Sequence, residues 1–188
     1  MIYQIVSLLL EVTVGLVGGA CFLRLYMQLQ RIPMSERSGN PLARFVFALT
    51  DWLVLPLRRV VPAFGRWDTA SLLGLYLLEI GRFGVMWILI GGGSGGLASV
   101  PIAAFFGAVR VVIAVLTGLT IAHAVLSWVQ TNNLLADILE RLCSPLLVPI
   151  RRLMPLIGGI DLSPVVLLVL LQICGILLGE LERFVLLL

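Results

Sequence analysis

Pro56-Leu57-Arg58-Arg59-Val60-Val61-Pro62 returns 93 residues later as Pro149-Ile150-Arg151-Arg152-Leu153-Met154-Pro155. The same offset carries Asn40 onto Asn133, Leu49 onto Leu142 and Asp68 onto Asp161. One shift that aligns all these positions indicates an internal duplication. A repeat constrains architecture before any single element is assigned.

Composition identifies the solvent. Of 188 residues, 60% are hydrophobic and 12% charged, with a mean hydropathy of +1.11. Soluble domains run near ~25% charged, so this chain must be covered largely by lipid. All 13 positive charges are arginine. Genomic base composition accounts for that bias, and lipid-phosphate recognition by guanidinium forks is the functional alternative. Cys21, Cys143 and Cys174 show no paired spacing, so neither a disulfide framework nor a zinc or c-type haem site is indicated. The opening Met1-Ile2-Tyr3-Gln4 carries no basic n-region, so the first apolar segment is expected to stay in the protein.

Four stretches reach the ~20 apolar residues a bilayer-crossing helix needs: 3–29, 69–90, 101–128 and 163–185. Backbone polar groups in lipid need internal partners, so these segments are helices. Gly91-Gly92-Gly93-Ser94-Gly95-Gly96 reads as a flexible linker. The expected division is a first repeat over 1–90, a linker over 91–100 and a second repeat over 101–188. Residues 30–68 carry Arg31, Arg37, Arg44, Arg58, Arg59 and Arg66, and residues 130–162 carry Arg141, Arg151 and Arg152. The positive-inside rule places both connections in the cytoplasm, with both termini and the linker outside. The expected fold is an all-α membrane protein. It has four transmembrane helices in two parallel-related helical-hairpin repeats, related by an axis along the membrane normal. Each repeat has a cytoplasmic connection containing interfacial amphipathic helices.

Within the connections, Asn40-Pro41 reads as a helix start, with Asn as cap and Pro at the first helical position. Leu42, Phe45, Val46 and Leu49 recur at helical spacing, so the helix is expected to end near Leu49. Asn133 caps the counterpart Leu134, Leu135, Ile138 and Leu142. Both helices suit the headgroup plane, packing against the membrane helices, or both. A second start is expected at Thr50-Asp51 and at Ser144-Pro145, and Pro56 and Pro149 argue against long regular helix there. The arginine pairs Arg58-Arg59 and Arg151-Arg152 suit lipid-phosphate or partner contact. Topology and snorkelling are the plainer account. Turns follow at Pro62 and Pro155. Asp68 or Thr69 would cap the second span, and Asp161 or Ser163 the fourth. Both aspartates could pair with the nearby arginines, and they read as mainly structural.

Asn40-Pro41, Pro56-Leu57-Arg58-Arg59 and the long run Pro149-Ile150-Arg151-Arg152-Leu153-Met154-Pro155-Leu156-Ile157-Gly158-Gly159-Ile160-Asp161-Leu162-Ser163-Pro164 resemble the YggT family, YlmG-like in Gram-positive bacteria and plastids. The resemblance spans essentially the whole chain, in the two-repeat proteobacterial form. The first copy departs from the motif: Trp67 replaces an Ile, Arg66 a Gly, and Ser71 stands where Pro164 stands. The resemblance implies a small bacterial inner-membrane protein linked to hyperosmotic tolerance and ion homeostasis. Relatives are linked to cell division and envelope organisation, and plastid relatives to cytochrome b6 haem attachment or nucleoid organisation. It brings no catalytic residues.

Ionisable groups inside spans are costly and are functional candidates by default. Glu79 and Arg82 lie mid-span and share one helix face. Gln172 occupies the position of Glu79 in the second repeat. Arg110 lies in the third span, His123 near its cytoplasmic end, and Glu11 and Arg24 near opposite ends of the first. Glu79, Arg82, Arg110 and Gln172 could line a polar path. Alternatively they neutralise one another and lock the helices. A lone His123 fits a hydrogen-bonded core residue better than a metal or haem ligand, so no cofactor is expected. Gly175-Ile176-Leu177-Leu178-Gly179 is a small-xxx-small pair suited to close helix approach, within the bundle or in a homo-oligomer.

No HExxH or nucleophile–base pattern is present, so an enzyme is not expected. The leading expectation is a non-enzymatic inner-membrane scaffold or assembly factor supporting osmotic and envelope stress tolerance. Its partners would be anionic lipid and envelope or cell-division proteins, with no direct nucleic-acid contact. The alternative is an oligomeric channel or transporter for potassium or protons, with its path near Glu79 and Arg110.

Overall fold

The computed structural model describes residues 2–34, 39–61, 67–91, 96–129, 134–153 and 161–187. Six helices follow in order: α1 Ile2–Leu29, α2 Pro41–Val60, α3 Thr69–Leu89, α4 Ser99–Val129, α5 Leu134–Leu153 and α6 Ser163–Leu187. No β-strand occurs among the described residues. Four segments are long and apolar enough to cross a bilayer: Tyr3–Leu29, Thr69–Leu89, Ser99–Ser127 and Ser163–Leu186. These lie within α1, α3, α4 and α6. Their outward faces are largely apolar, with Leu8, Leu16, Val85, Phe105, Ile176 and Phe184 exposed. Such a surface is stable against lipid chains and not against water.

α1 packs along α3 and α4 along α6, while α3 and α1 both meet α4. The 20-residue helix α2 lies on α1 and α3; α5, also 20 residues, lies on α4 and α6. Glycines set the closest approaches. A Cβ on Gly18 of α1 would stand 2.7 Å from Leu75 Cδ1 of α3, and one on Gly19 3.0 Å from Val115 Cγ2 of α4. Gly175 and Gly179, by contrast, have nothing within 4 Å of a Cβ, so this glycine pair brings no helix close within the chain.

Asn40 caps α2. Its Oδ1 accepts from Leu42 N at 3.0 Å and Ala43 N at 3.3 Å, and its Nδ2 donates to Pro33 O at 3.1 Å. Asp68 caps α3 and Asp161 accepts from Ser163 N at 2.9 Å at the start of α6. Pro62, Asn133 and Pro155 lie outside the described residues.

The expected break near Leu49 is corrected. α2 runs unbroken through Thr50-Asp51 and Pro56, and α5 through Ser144, Pro145 and Pro149. The prolines all sit on the exposed side of their helices, where a lost ladder bond faces outward and not into the core. Pro145 cannot donate to Arg141 O, and Ser144 Oγ donates to that carbonyl instead at 3.2 Å. The apolar residues of α2 also split between two faces. Ala43, Val46, Thr50 and Val54 are buried against the bundle, while Phe45, Trp52 and Leu55 are exposed.

Gly107 of α4 tests this packing. A Cβ there would meet Glu79 Oε2 at 2.6 Å and Phe83 Cε2 at 2.8 Å. Gly107→Ala should destabilise the detergent-solubilised protein by about 1–3 kcal/mol, the range for overpacking. Gly175→Ala, on open ground, should shift it by less than about 0.5 kcal/mol. Thermal unfolding of the two variants checks the contrast.

Candidate functional site

Charged side chains gather at two depths. The first group surrounds Arg24, near the end of α1, whose side chain is only 4% exposed. Its Nη1 donates to Thr50 Oγ1 at 2.8 Å and to Asp51 Oδ1 at 2.6 Å, both on α2. Its guanidinium lies 4.7 Å from the centroid of the Phe47 ring. Its Nε is 3.7 Å from Asp68 Oδ2 at the head of α3. Asp68 is fully buried and also accepts from Arg58 and from Ser71 Oγ at 2.8 Å. Two arginines and two aspartates thus form a neutral cluster joining three helices. Burial pushes the Asp68 carboxyl up, but the hydrogen bonds from Arg58 and Ser71 outweigh it and hold the group below its ordinary value.

The second half repeats only part of this arrangement. Arg151 Nε donates to Asp161 Oδ2 at 2.8 Å, as Arg58 does to Asp68. Residues 117, 143 and 144, which stand 93 positions after Arg24, Thr50 and Asp51, are Thr, Cys and Ser. No guanidinium hub forms among them. Cys143 Sγ donates to Leu119 O at 3.5 Å, and burial raises its thiol to about 11. Leu119, Leu139, Leu142, Leu147 and Leu167 fill the space with apolar contacts. His123 is buried, 7% exposed.

The arginine pairs divide. Arg58 and Arg151 each engage an aspartate ten residues on. Arg59 and Arg152 are exposed and make no ion pair among the described residues.

The second charged group lies deeper. Glu79 is fully buried, and Arg82 Nε stands 3.0 Å from its Oε2. Arg82 also stacks on Phe83 at 4.5 Å. Arg110 of α4 pairs with Glu182 of α6. Beside them a vestibule of about 390 Å³ opens between α1, α3 and α4, lined by Tyr3, Glu11, Arg82, Trp87, Ser99 and Arg110 among others. Gln172 is not among them. It sits on the exposed side of α6, in a separate groove that Arg110 also borders. Glu79, Arg82 and Arg110 are therefore brought together, and Gln172 is not. Cys21, Val54, Ala70 and Leu75 form a buried apolar cluster between the two charged groups.

Sequence reasoning placed Arg24 at a span end and Thr50-Asp51 at a helix start, and so missed the hub. The available signal was the cost of an unpaired arginine in a span, which demands carboxylates nearby.

Four apolar spans, buried charge clusters and apolar outer faces define a multi-pass helical membrane protein. The CCB3/YggT family model matches residues 3–89 and 102–181, and the chain belongs to this family. It is 33% identical over 175 residues to the Escherichia coli K12 protein named Uncharacterized protein YggT, covering 93% of this chain and 89% of that one. A Vibrio alginolyticus protein designated by its place in the proC 3′ region is 32% identical over 162 residues, 84% of each chain. A Haemophilus influenzae protein is 33% identical over 155 residues, 79% of this chain and 77% of its own. No solved structure matches the chain.

The two aspartate–arginine pairs differ in burial: Asp68 is fully buried, whereas Asp161 is 28% exposed. Asp68→Asn leaves Arg24 and Arg58 without their shared counter-ion and should cost about 3–5 kcal/mol. Asp161→Asn should cost about 1 kcal/mol or less. Burial pushes the Asp161 carboxyl up, but the hydrogen bond it accepts from Ser163 N and the charge of Arg151 hold it below its ordinary value. Both carboxyls thus contribute stability that is complete above the unfolded-state value of about 4 and is lost as pH falls through the lower folded-state value. Acid unfolding should therefore be blunted most in Asp68→Asn, as read by thermal scans across pH.

Proposed function

We propose that the protein is a non-enzymatic scaffold or assembly factor of the bacterial inner membrane. The carrying observation is the division of labour among its arginines. Arg24, Arg58, Arg82, Arg110 and Arg151 are each committed to a carboxylate. Arg59 and Arg152, at the ends of α2 and α5, are left facing outward. Charges committed to internal pairs rigidify a bundle, and unpaired arginines beside apolar side chains suit a headgroup layer or an acidic partner. Phe45, Trp52 and Leu55 on α2 supply the apolar part of that surface, as expected of a helix lying in the interface.

The reading includes two repeats, α1–α3 and α4–α6, with α2 and α5 cytoplasmic and both termini outside. It is supported by the 93-residue offset, by the arginine bias of the connections and by the two segments the family model matches. Envelope or osmotic tolerance would follow from what such a scaffold assembles. Self-association through α6 is part of the reading: Gln172 is a polar group on a lipid-facing surface, one turn from the open Gly175, and amides in lipid find partners across helices.

A second reading, a potassium or proton path, is favoured by the vestibule that reaches Arg82 and Arg110 beside buried Glu79. The apolar cluster of Cys21, Val54, Ala70 and Leu75 stands against it.

Arg59→Ala with Arg152→Ala should leave thermal stability unchanged. It should weaken retention of phosphatidylglycerol in nanodiscs by about tenfold or more, at ~1 kcal/mol per arginine, and flatten its salt dependence. Unchanged lipid retention across salt would remove the headgroup reading. Liposomes containing the wild type should show no potassium or proton flux above empty vesicles. Flux that disappears in Glu79→Gln would replace the scaffold reading with the conduction path.

A further inference from the structure

The vestibule between α1, α3 and α4 has walls of opposite charge. Glu11, on α1, lines it and makes no ion pair among the described residues. Arg82 on α3 and Arg110 on α4 line it as well. Trp87 contributes an indole whose Nε1 is buried and has no hydrogen-bond partner among the described residues. A buried donor without an acceptor costs free energy, and this one belongs to a residue that lines an open cavity. At about 390 Å³ the space falls within the range of small-molecule sites, ~300–1,000 Å³.

The charge balance narrows the ligand. Arg82 is paired with Glu79 and Arg110 with Glu182, so the Glu11 carboxylate is a surplus of one negative charge at membrane depth. A bare anion would deepen that surplus in a medium of low dielectric. A bare cation would satisfy Glu11 but would leave the indole donor unmet and lie against two guanidiniums. A molecule carrying both charges leaves the balance unchanged and matches both walls.

We propose that the vestibule binds a small zwitterion, with its ammonium group set against Glu11 and its oxyanion against Trp87 Nε1 and the Arg82 and Arg110 guanidiniums. The ligand chemistry is an ammonium joined to a carboxylate or phosphate through a short aliphatic link. Both a free solute and the ethanolamine-phosphate headgroup of a lipid have it. The mouth is at the end of the bundle that holds Tyr3 and Ser99, opposite the α2 and α5 arginines. The proposal is independent of the scaffold reading, because it concerns the opposite end of the molecule.

The test uses the full chain in nanodiscs of phosphatidylglycerol alone, which carry no zwitterionic headgroup. Glycine, glycine betaine and glycerophosphoethanolamine are titrated calorimetrically, with acetate and tetramethylammonium as half-ligands. In a second arm, phosphatidylethanolamine is doped into the discs and its retention is read by native mass spectrometry. At least one zwitterion should bind one-to-one, and each half-ligand should bind at least about tenfold more weakly, as expected when one charged contact is lost. Glu11→Gln, at an exposed residue with no ion pair to lose, should weaken binding about tenfold with unchanged thermal stability. Trp87→Phe should weaken it by a few-fold through loss of one donor. Saturable binding of the soluble probes assigns a free solute; retention of phosphatidylethanolamine that Glu11→Gln abolishes assigns the lipid. The proposal is overturned if no probe and no phosphatidylethanolamine binds. It is equally overturned if acetate binds as tightly as the zwitterions, or if Glu11→Gln binds as the wild type does.

Discussion

Arg24 is the constraint on which the first half of the molecule depends. A guanidinium on a membrane-spanning helix has no tolerable state except one surrounded by acceptors. Its acceptors come from both neighbouring elements: Thr50 and Asp51 from the middle of α2, and Asp68 from the cap of α3. Satisfying it fixes where α2 crosses α1 and how deep α3 begins. Arg58 then completes the cluster from the last turn of α2, so the pairs balance in charge. The penalty for removing any one member exceeds what the pair contributes, because the remaining partner stays buried.

The second half shows that the fold does not need this solution. With Thr117, Cys143 and Ser144 at the corresponding positions, α5 is held by leucine packing instead. Only the Arg151–Asp161 pair remains, and it is partly exposed. Apolar replacement of buried ionic networks is often neutral or stabilising, so the two halves can share a helix order with different interiors. They are tied to each other by Tyr26 of α1, whose hydroxyl donates to Leu142 O of α5 at 2.7 Å. Met27 and Ile32 extend the same contact into the leucine cluster.

What was legible in the sequence was what lipid imposes locally. The four spans could be read because every backbone group in hydrocarbon must be satisfied within its own segment. The Asn40 cap could be read because capping is decided within three residues. The course of α2 and α5 was not legible. Proline rules describe a helix in isolation, whereas Pro56 and Pro149 face away from the bundle and Ser144 supplies a substitute donor beside Pro145. The Arg24 hub was hidden for a different reason: its partners lie 26, 27 and 44 positions away, and no local period connects them. Gln172 shows the limit of the repeat argument. The offset matches it to Glu79, yet Glu79 is buried beside Gly107 and Gln172 faces outward.

These distinctions bear on how the repeated motif is read. Two adjacent arginines in each half look like one feature, but helical geometry turns neighbouring side chains by about 100°, a consequence of 3.6 residues per turn. One arginine therefore meets the aspartate at the head of the next span while its neighbour points out of the bundle. The motif thus combines an ion pair that ties each connecting helix to the following span with an arginine exposed outside. Because that ion pair recurs in both halves while the Arg24 hub does not, the feature common to both is the join between connection and span. That join holds the outward arginine at a fixed height, as a surface for lipid headgroups or a partner would require.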